Sequence, residues 1–230
     1  MVNTNSAVPV SNAASVVNSL ENGRYNSMII YAPFSTNTDI SLRQPTLDFI
    51  SSYMQNNKAD ILVSKDCTSS VYLYEQGFCD IIRQYPKEDL IIIEQDVVPT
   101  NNIMTTLKSA DADLVENAYY ALSVNQFQAI QDKINANKNI NILPKTINNS
   151  VIYAFGLCKI KNKVLSAYIR DKGVELPDDI SWIQFYDIFY AWYNNISYNN
   201  KKMYSGKKDF TAILRINNEI AVHNKSIIGG

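Results

Sequence analysis

Two carboxylates, Glu94 and Asp96, stand two residues apart at the end of the aliphatic run "DLIIIEQDVVP". In an extended strand, residues i and i+2 project from the same face, so the two acids are expected side by side. Paired hard oxygen ligands suit Mg2+ or Mn2+, ions that also bridge the phosphates of a nucleotide. The competing reading is structural: Asp96 caps a helix starting near Pro99, and Glu94 is merely exposed. A third acid, Asp187, sits in "SWIQFYDIFYAWY" among Trp182, Phe185, Tyr186, Phe189, Tyr190 and Trp192. Buried in that company it needs a partner or a raised pKa, which is how a general base is often tuned. On the solvent side of its helix it is an ordinary surface acid. The single histidine, His223 in "EIAVHN", is either a metal or phosphate contact or a structural side chain.

These residues need elements to place them. "SMIIYAPF" is a β-branched and aromatic run that reads as a first buried strand, stopped at Pro33. "SLRQPTLDFISSYMQ" carries Leu42, Leu47, Ile50 and Met54 at near-helical spacing, with Ser41 as N-cap. "ADILVSKD" is a second strand and "SSVYLYEQGFCDIIRQY" a second helix. "DLIIIEQDVV" is the third strand, which completes a βαβαβ unit and so demands a mostly parallel sheet covered on both faces. Ligands in such sheets bind outside the carboxyl ends of the strands, where Glu94 and Asp96 lie.

Beyond residue 110 the pattern is mixed. A short helix "IMTTLKSA", an extended "ADLVENAYYALS" and a helix "VNQFQAIQDKI" precede the asparagine-rich connection "ANKNINILPKTINN". "SVIYAFGLCKIK" is a strand interrupted at Gly156. Helices follow over "NKVLSAYIRDKG" and over "DDISWIQFYDIFYAWYNN", the latter with Ser181 as N-cap. "DFTAILRI" and "EIAVHN" close the chain as two short strands.

Composition excludes several classes. The net charge of −1 over 230 residues gives no basic footprint for nucleic acid. The three cysteines, Cys67, Cys79 and Cys158, lack CxxC spacing and suit reduced intracellular thiols. No apolar run approaches a membrane span, and residues 1–24 lack the basic and apolar blocks of a signal peptide. They read as a flexible leader, and the chain as cytoplasmic. No Gly-x-Gly-x-x-Gly, P-loop or Gly-x-Ser-x-Gly sequence is present, which disfavours dinucleotide, P-loop and α/β-hydrolase chemistry.

The order of parts resembles the GT-A fold of nucleotide-sugar glycosyltransferases. "IIYAPF" looks like the first strand and the loop bordering the base, "ILVSKD" offers Asp66 for the base or ribose, and "IIIEQDVVP" resembles a Glu-x-Asp version of the DxD motif. "VIYAFGLCKIKNKVL" is similar to the glycine-containing strand beside the acceptor, and "SWIQFYD" to the acceptor-side helix of inverting members. The resemblance implies an α/β, GT-A-like single domain over 25–230: a mixed, mostly parallel sheet flanked by helices. Its Rossmann-like nucleotide-binding half is 25–110 and its acceptor-side half 111–230. It implies a UDP- or GDP-sugar donor contacted by Tyr31, Ala32, Pro33, Asp66, Glu94 and Asp96. The metal, Mn2+ or Mg2+, falls to Asp96 with Glu94 and His223, and the catalytic base to Asp187. The acceptor is a carbohydrate or glycoprotein. The compact size and the Asn, Tyr and Ile content are similar to small glycosyltransferases of archaeal viruses, which implies the host cytoplasm. A sugar nucleotidyltransferase remains an alternative, although "APFSTNTD" lacks the expected Gly-rich phosphate loop. A doubly wound binding module whose acids only cap is the other.

Overall fold

Strand β1 (Met28–Ser35) is buried from Met28 to Phe34 because its aliphatic and aromatic residues face packed layers on both sides. The computed structural model describes residues 27–36, 40–68, 72–120, 151–171, 182–198, 201–202 and 209–223. The leader 1–24, the helix expected over "VNQFQAIQDKI", the asparagine-rich connection and Ser181 lie outside them.

After β1 come α1 (Ile40–Asn56), β2 (Ile61–Cys67), a π turn (Tyr72–Gln76), α2 (Gly77–Gln84) and β3 (Asp89–Ile93). β1 pairs in parallel with both β2 and β3, which is the expected βαβαβ unit. β2 alternates between half-buried and exposed residues, as suits its outer position in the sheet. β1 does not stop at Pro33; it continues to Ser35, with Pro33 opposite Lys65 of β2. The proline is tolerated because the β3 pairing has already ended, at Tyr31 opposite Ile92, so no ladder partner there needs its missing N–H.

The second half adds β4 (Val97–Val98), α3 (Asn101–Ser109), β5 (Leu114–Tyr120), β6 (Val151–Ile152), β7 (Leu157–Ile160), α4 (Asn162–Asp171) and α5 (Trp182–Tyr193). A small hairpin, β8 (Ser197–Tyr198) with β9 (Lys201–Lys202), precedes β10 (Leu214–His223). β7 slots antiparallel between β3 and β5, and β10 runs parallel to β5. The main order is therefore β2-β1-β3-β7-β5-β10, with β4 at the far end and β6 on β5. Strands from both halves of the chain form this one mixed, mostly parallel sheet, a layout consistent with a GT-A-like fold. The two short strands expected at the end are one strand, β10, with an irregularity between Ile216 and Ala221.

Helices cover both faces. On one, the Lys159 ammonium of β7 donates to the carbonyls of Lys108 and Ala110 at the end of α3. On the other, Phe155 just before β7 packs against Phe78 of α2 and against Phe185, Tyr186 and Phe189 of α5. Tyr168 of α4 joins that cluster through Phe185, Phe189 and Trp192. Among the described residues no helix is long and apolar enough to cross a membrane.

Gly77 fixes how closely α2 approaches β1. A Cβ there would lie 2.2 Å from the Tyr31 hydroxyl oxygen and 2.7 Å from its Cζ. Tyr31 is fully buried and its hydroxyl donates to the Leu73 carbonyl, so the ring has no easy escape. Gly77→Ala is therefore expected to destabilise the fold by about 1–3 kcal/mol, read as a lower urea midpoint with an unchanged slope.

Candidate functional site

The ladder between β3 and β7 ends at Ile93 opposite Leu157. One more bond follows, from the Glu94 N–H to the Gly156 carbonyl at 2.9 Å. The chain then turns: the Val97 N–H donates to the Glu94 carbonyl at 3.0 Å, which makes Glu94–Val97 a tight turn. Glu94 and Asp96 are thus not neighbours on one face of a continuous strand. They are corners of a turn at the carboxyl end of β3, and both are largely buried, at 9% and 8% exposure. Nor does Asp96 cap the following helix. That role belongs to Thr100, whose hydroxyl accepts from the Ile103 N–H at 3.2 Å.

Two tyrosines stand by these acids. The Tyr74 hydroxyl donates to Glu94 Oε1, and its ring stacks against Phe155 at 5.1 Å and against Phe185 at 5.3 Å. Burial, and then the Glu94 charge, push the Tyr74 hydroxyl's pKa well up, so it stays a hydrogen-bond donor. Tyr119, at the end of β5, is fully buried. Burial, followed by the charges of Glu94 and Asp96, raises its pKa too. Its ring has room only because residue 156 is glycine: a Cβ there would sit 2.5 Å from Tyr119 Cζ. Tyr74→Phe removes one charged hydrogen bond from Glu94 and is expected to cost about 1.5–3 kcal/mol of stability. Thermal unfolding of the variant beside the parent chain measures it.

The rest of this edge converges on the same turn. The Ser35 N–H at the end of β1 donates to Gln95 Oε1 at 2.8 Å. Asp66 lies opposite Phe34 in the β1–β2 register and its carboxylate is 60% exposed, held by Arg43 Nη1 at 3.2 Å. Arg43 also donates to the Ser35 carbonyl and lies over the Phe34 ring. His223, by its backbone, pairs with Val97, the residue after Asp96; its imidazole lies outside the described part of the structure. Glu94, Asp96, Asp66 and the His223 backbone therefore share the carboxyl edge of the sheet.

Other expected contacts fall elsewhere. Tyr31, Ala32 and Pro33 are strand residues, not a loop, and the Tyr31 ring packs edge-on against Phe78 in the core. The chain leaves the sheet only after Ser35. Asp187 is exposed, between buried Tyr186 and Ile188, so the burial considered for it does not occur. Its neighbour Tyr186 donates instead to Glu116, a fully buried acid in β5 that also accepts from Arg215 Nε at 3.0 Å. Sequence reasoning passed over Glu116 and Arg43. A charged residue inside the extended "LVENAYY" could have flagged the first; nothing local marks the second.

Among the described residues no three His, Cys, Asp or Glu side chains form a metal set. Glu94 and Asp96 nevertheless suit Mg2+ or Mn2+ by donor chemistry, since such ions are commonly bound through one or two carboxylates, with water and phosphate oxygens completing the shell.

No protein-family model and no curated protein matches the chain. Among solved structures it is similar to the crystal structure of a glycosyltransferase involved in the glycosylation of the major capsid of PBCV-1. The TM-score is 0.46 at 9% identity, covering 85% of this chain and 93% of that one.

Proposed function

We propose that the chain is a metal-dependent glycosyltransferase that moves a sugar from a UDP- or GDP-sugar to a hydroxyl of a carbohydrate or glycoprotein acceptor. The observation that carries this reading is the turn Glu94–Val97: two largely buried carboxylates at the carboxyl edge of a mostly parallel sheet, beside the end of β10. Asp96 holds Mn2+ or Mg2+, with Glu94 and His223 in support, and the bound ion supplies charge neutralisation for the departing diphosphate. Glu94 is oriented for that duty by Tyr74. The end of β1 and Asp66, braced by Arg43, border the nucleoside.

Asp187 takes the proton of the acceptor hydroxyl as its oxygen attacks the anomeric carbon. The carbon–oxygen bond to the diphosphate breaks, and the configuration inverts. An exposed carboxylate is reachable by an acceptor, as a base for its hydroxyl must be. The test is release of nucleoside diphosphate from a UDP- and GDP-sugar panel with Mn2+ present. Asp187→Asn is expected to keep donor binding and lose turnover by roughly 10²–10⁴-fold. Full turnover in that variant removes Asp187 as the base.

A further inference from the structure

A cavity of about 860 Å3 opens at the opposite end of the sheet. Its lining includes Asp89 and Lys159, at the start of β3 and near the end of β7, Asn56 at the end of α1 with Asn57 just after it, and Thr105 and Lys108 of α3. Asp89 and Glu94 are five residues apart along β3, so roughly 16 Å separates this part of the lining from the acidic turn. The volume lies within the roughly 300–1,000 Å3 typical of small-ligand sites.

The polar groups here are already arranged. Lys108 Nζ is held at 2.7 Å by Asp60, a buried acid that also accepts from the Met28 N–H and the Tyr53 hydroxyl. Lys159 is 5% exposed and spends two of its three donors on carbonyls, which leaves one. Burial, the main cause, lowers its pKa. The side-chain N–H groups of Asn56 and Asn57 donate to Ser52 and Tyr53 carbonyls, and the Thr105 hydroxyl to Asn101. Their oxygens remain as acceptors. Elsewhere in the lining the charge of Lys87 is offset by those of Glu88 and Asp89.

An anion would meet amide oxygens and two carboxylates, and a metal cation would meet three ammonium groups. Neither finds a site of one sign. A hydroxyl both donates and accepts, so it can serve the amide oxygens and the lysine donors together. We propose that this cavity is a second binding site, for a neutral, hydroxyl-rich ligand of the size of a short oligosaccharide.

The test is binding of the intact chain to an array of neutral, sialylated and sulfated oligosaccharides, with inorganic phosphate as a competitor. Binding to neutral members that phosphate does not displace is expected, and Thr105→Trp, which fills the cavity from α3, should remove it at least tenfold. Asn56→Trp fills it from α1, so the test survives if one variant fails to fold. Asp96→Ala should leave this binding intact, which separates it from an acceptor held at the acidic turn. Three results overturn the proposal: no neutral oligosaccharide bound, a preference for charged ones, or binding unchanged in a folded Trp variant.

Discussion

Asp96→Ala is expected to lower Mn2+-dependent nucleotide binding, and with it sugar transfer, by at least about 100-fold, since even partners that only orient a metal's ligands commonly cost 10–100-fold. The reasoning starts from position. The strand β3 carries an apolar run to the edge of the sheet, the bond from Glu94 to Gly156 ends the ladder, and a tight turn then lifts Asp96 out of it. A carboxylate that is 8% exposed there, and does not cap the next helix, has a role other than solubility. The fold should survive the change, because helix α3 keeps its Thr100 cap and the turn keeps its backbone bond. Circular dichroism should therefore report a folded variant while calorimetric titration of UDP and GDP with Mn2+ loses its signal. Unchanged titration in a folded variant removes Asp96 as the metal ligand.

The largest expected effect on stability is at Phe155. It is fully buried and touches Tyr74, Phe78, Phe185, Tyr186 and Phe189, so it joins the π turn, α2 and α5 in one aromatic cluster. Phe155→Ala deletes that hub and leaves a cavity that flat rings, with Tyr74 and Tyr186 held by hydrogen bonds, cannot easily fill. The cost is expected at about 3–5 kcal/mol, a fall in Tm of roughly 6–20 °C for a chain of this size. Because Tyr74 stacks on Phe155 and donates to Glu94, nucleotide binding should weaken as well, even at temperatures where the variant is folded. A loss of only about 0.5 kcal/mol, which is what a tolerant surface site shows, contradicts this account of the core.

The βαβαβ unit was legible because its strands are continuous apolar runs and its helices keep an apolar spacing; Leu90 to Ile93 are all fully buried. Pro33 misled, since whether a proline ends a strand depends on where the neighbouring strand stops, and that neighbour is distant in sequence. The geometry of Glu94 and Asp96 was hidden for a similar reason. The strand ends where its antiparallel partner β7 begins, after Gly156, and nothing between residues 89 and 99 announces it. Their place at the carboxyl edge was legible; their shared face was not. Asp187 lies in a helix with aromatic residues on nearly every side, so no amphipathic stripe revealed which face meets solvent. Glu116 and Arg43 take their roles from Tyr186, Arg215, Ser35 and Asp66, contacts made only in the folded chain.

The central claim is that the acidic turn binds a nucleoside diphosphate through a divalent metal. Calorimetric titration of the intact chain with UDP and GDP, with and without Mn2+, tests it most directly. The account predicts saturable binding of one of them that requires Mn2+ and vanishes on chelation. Equal affinity with and without the metal, or no binding of either nucleotide in its presence, would contradict it.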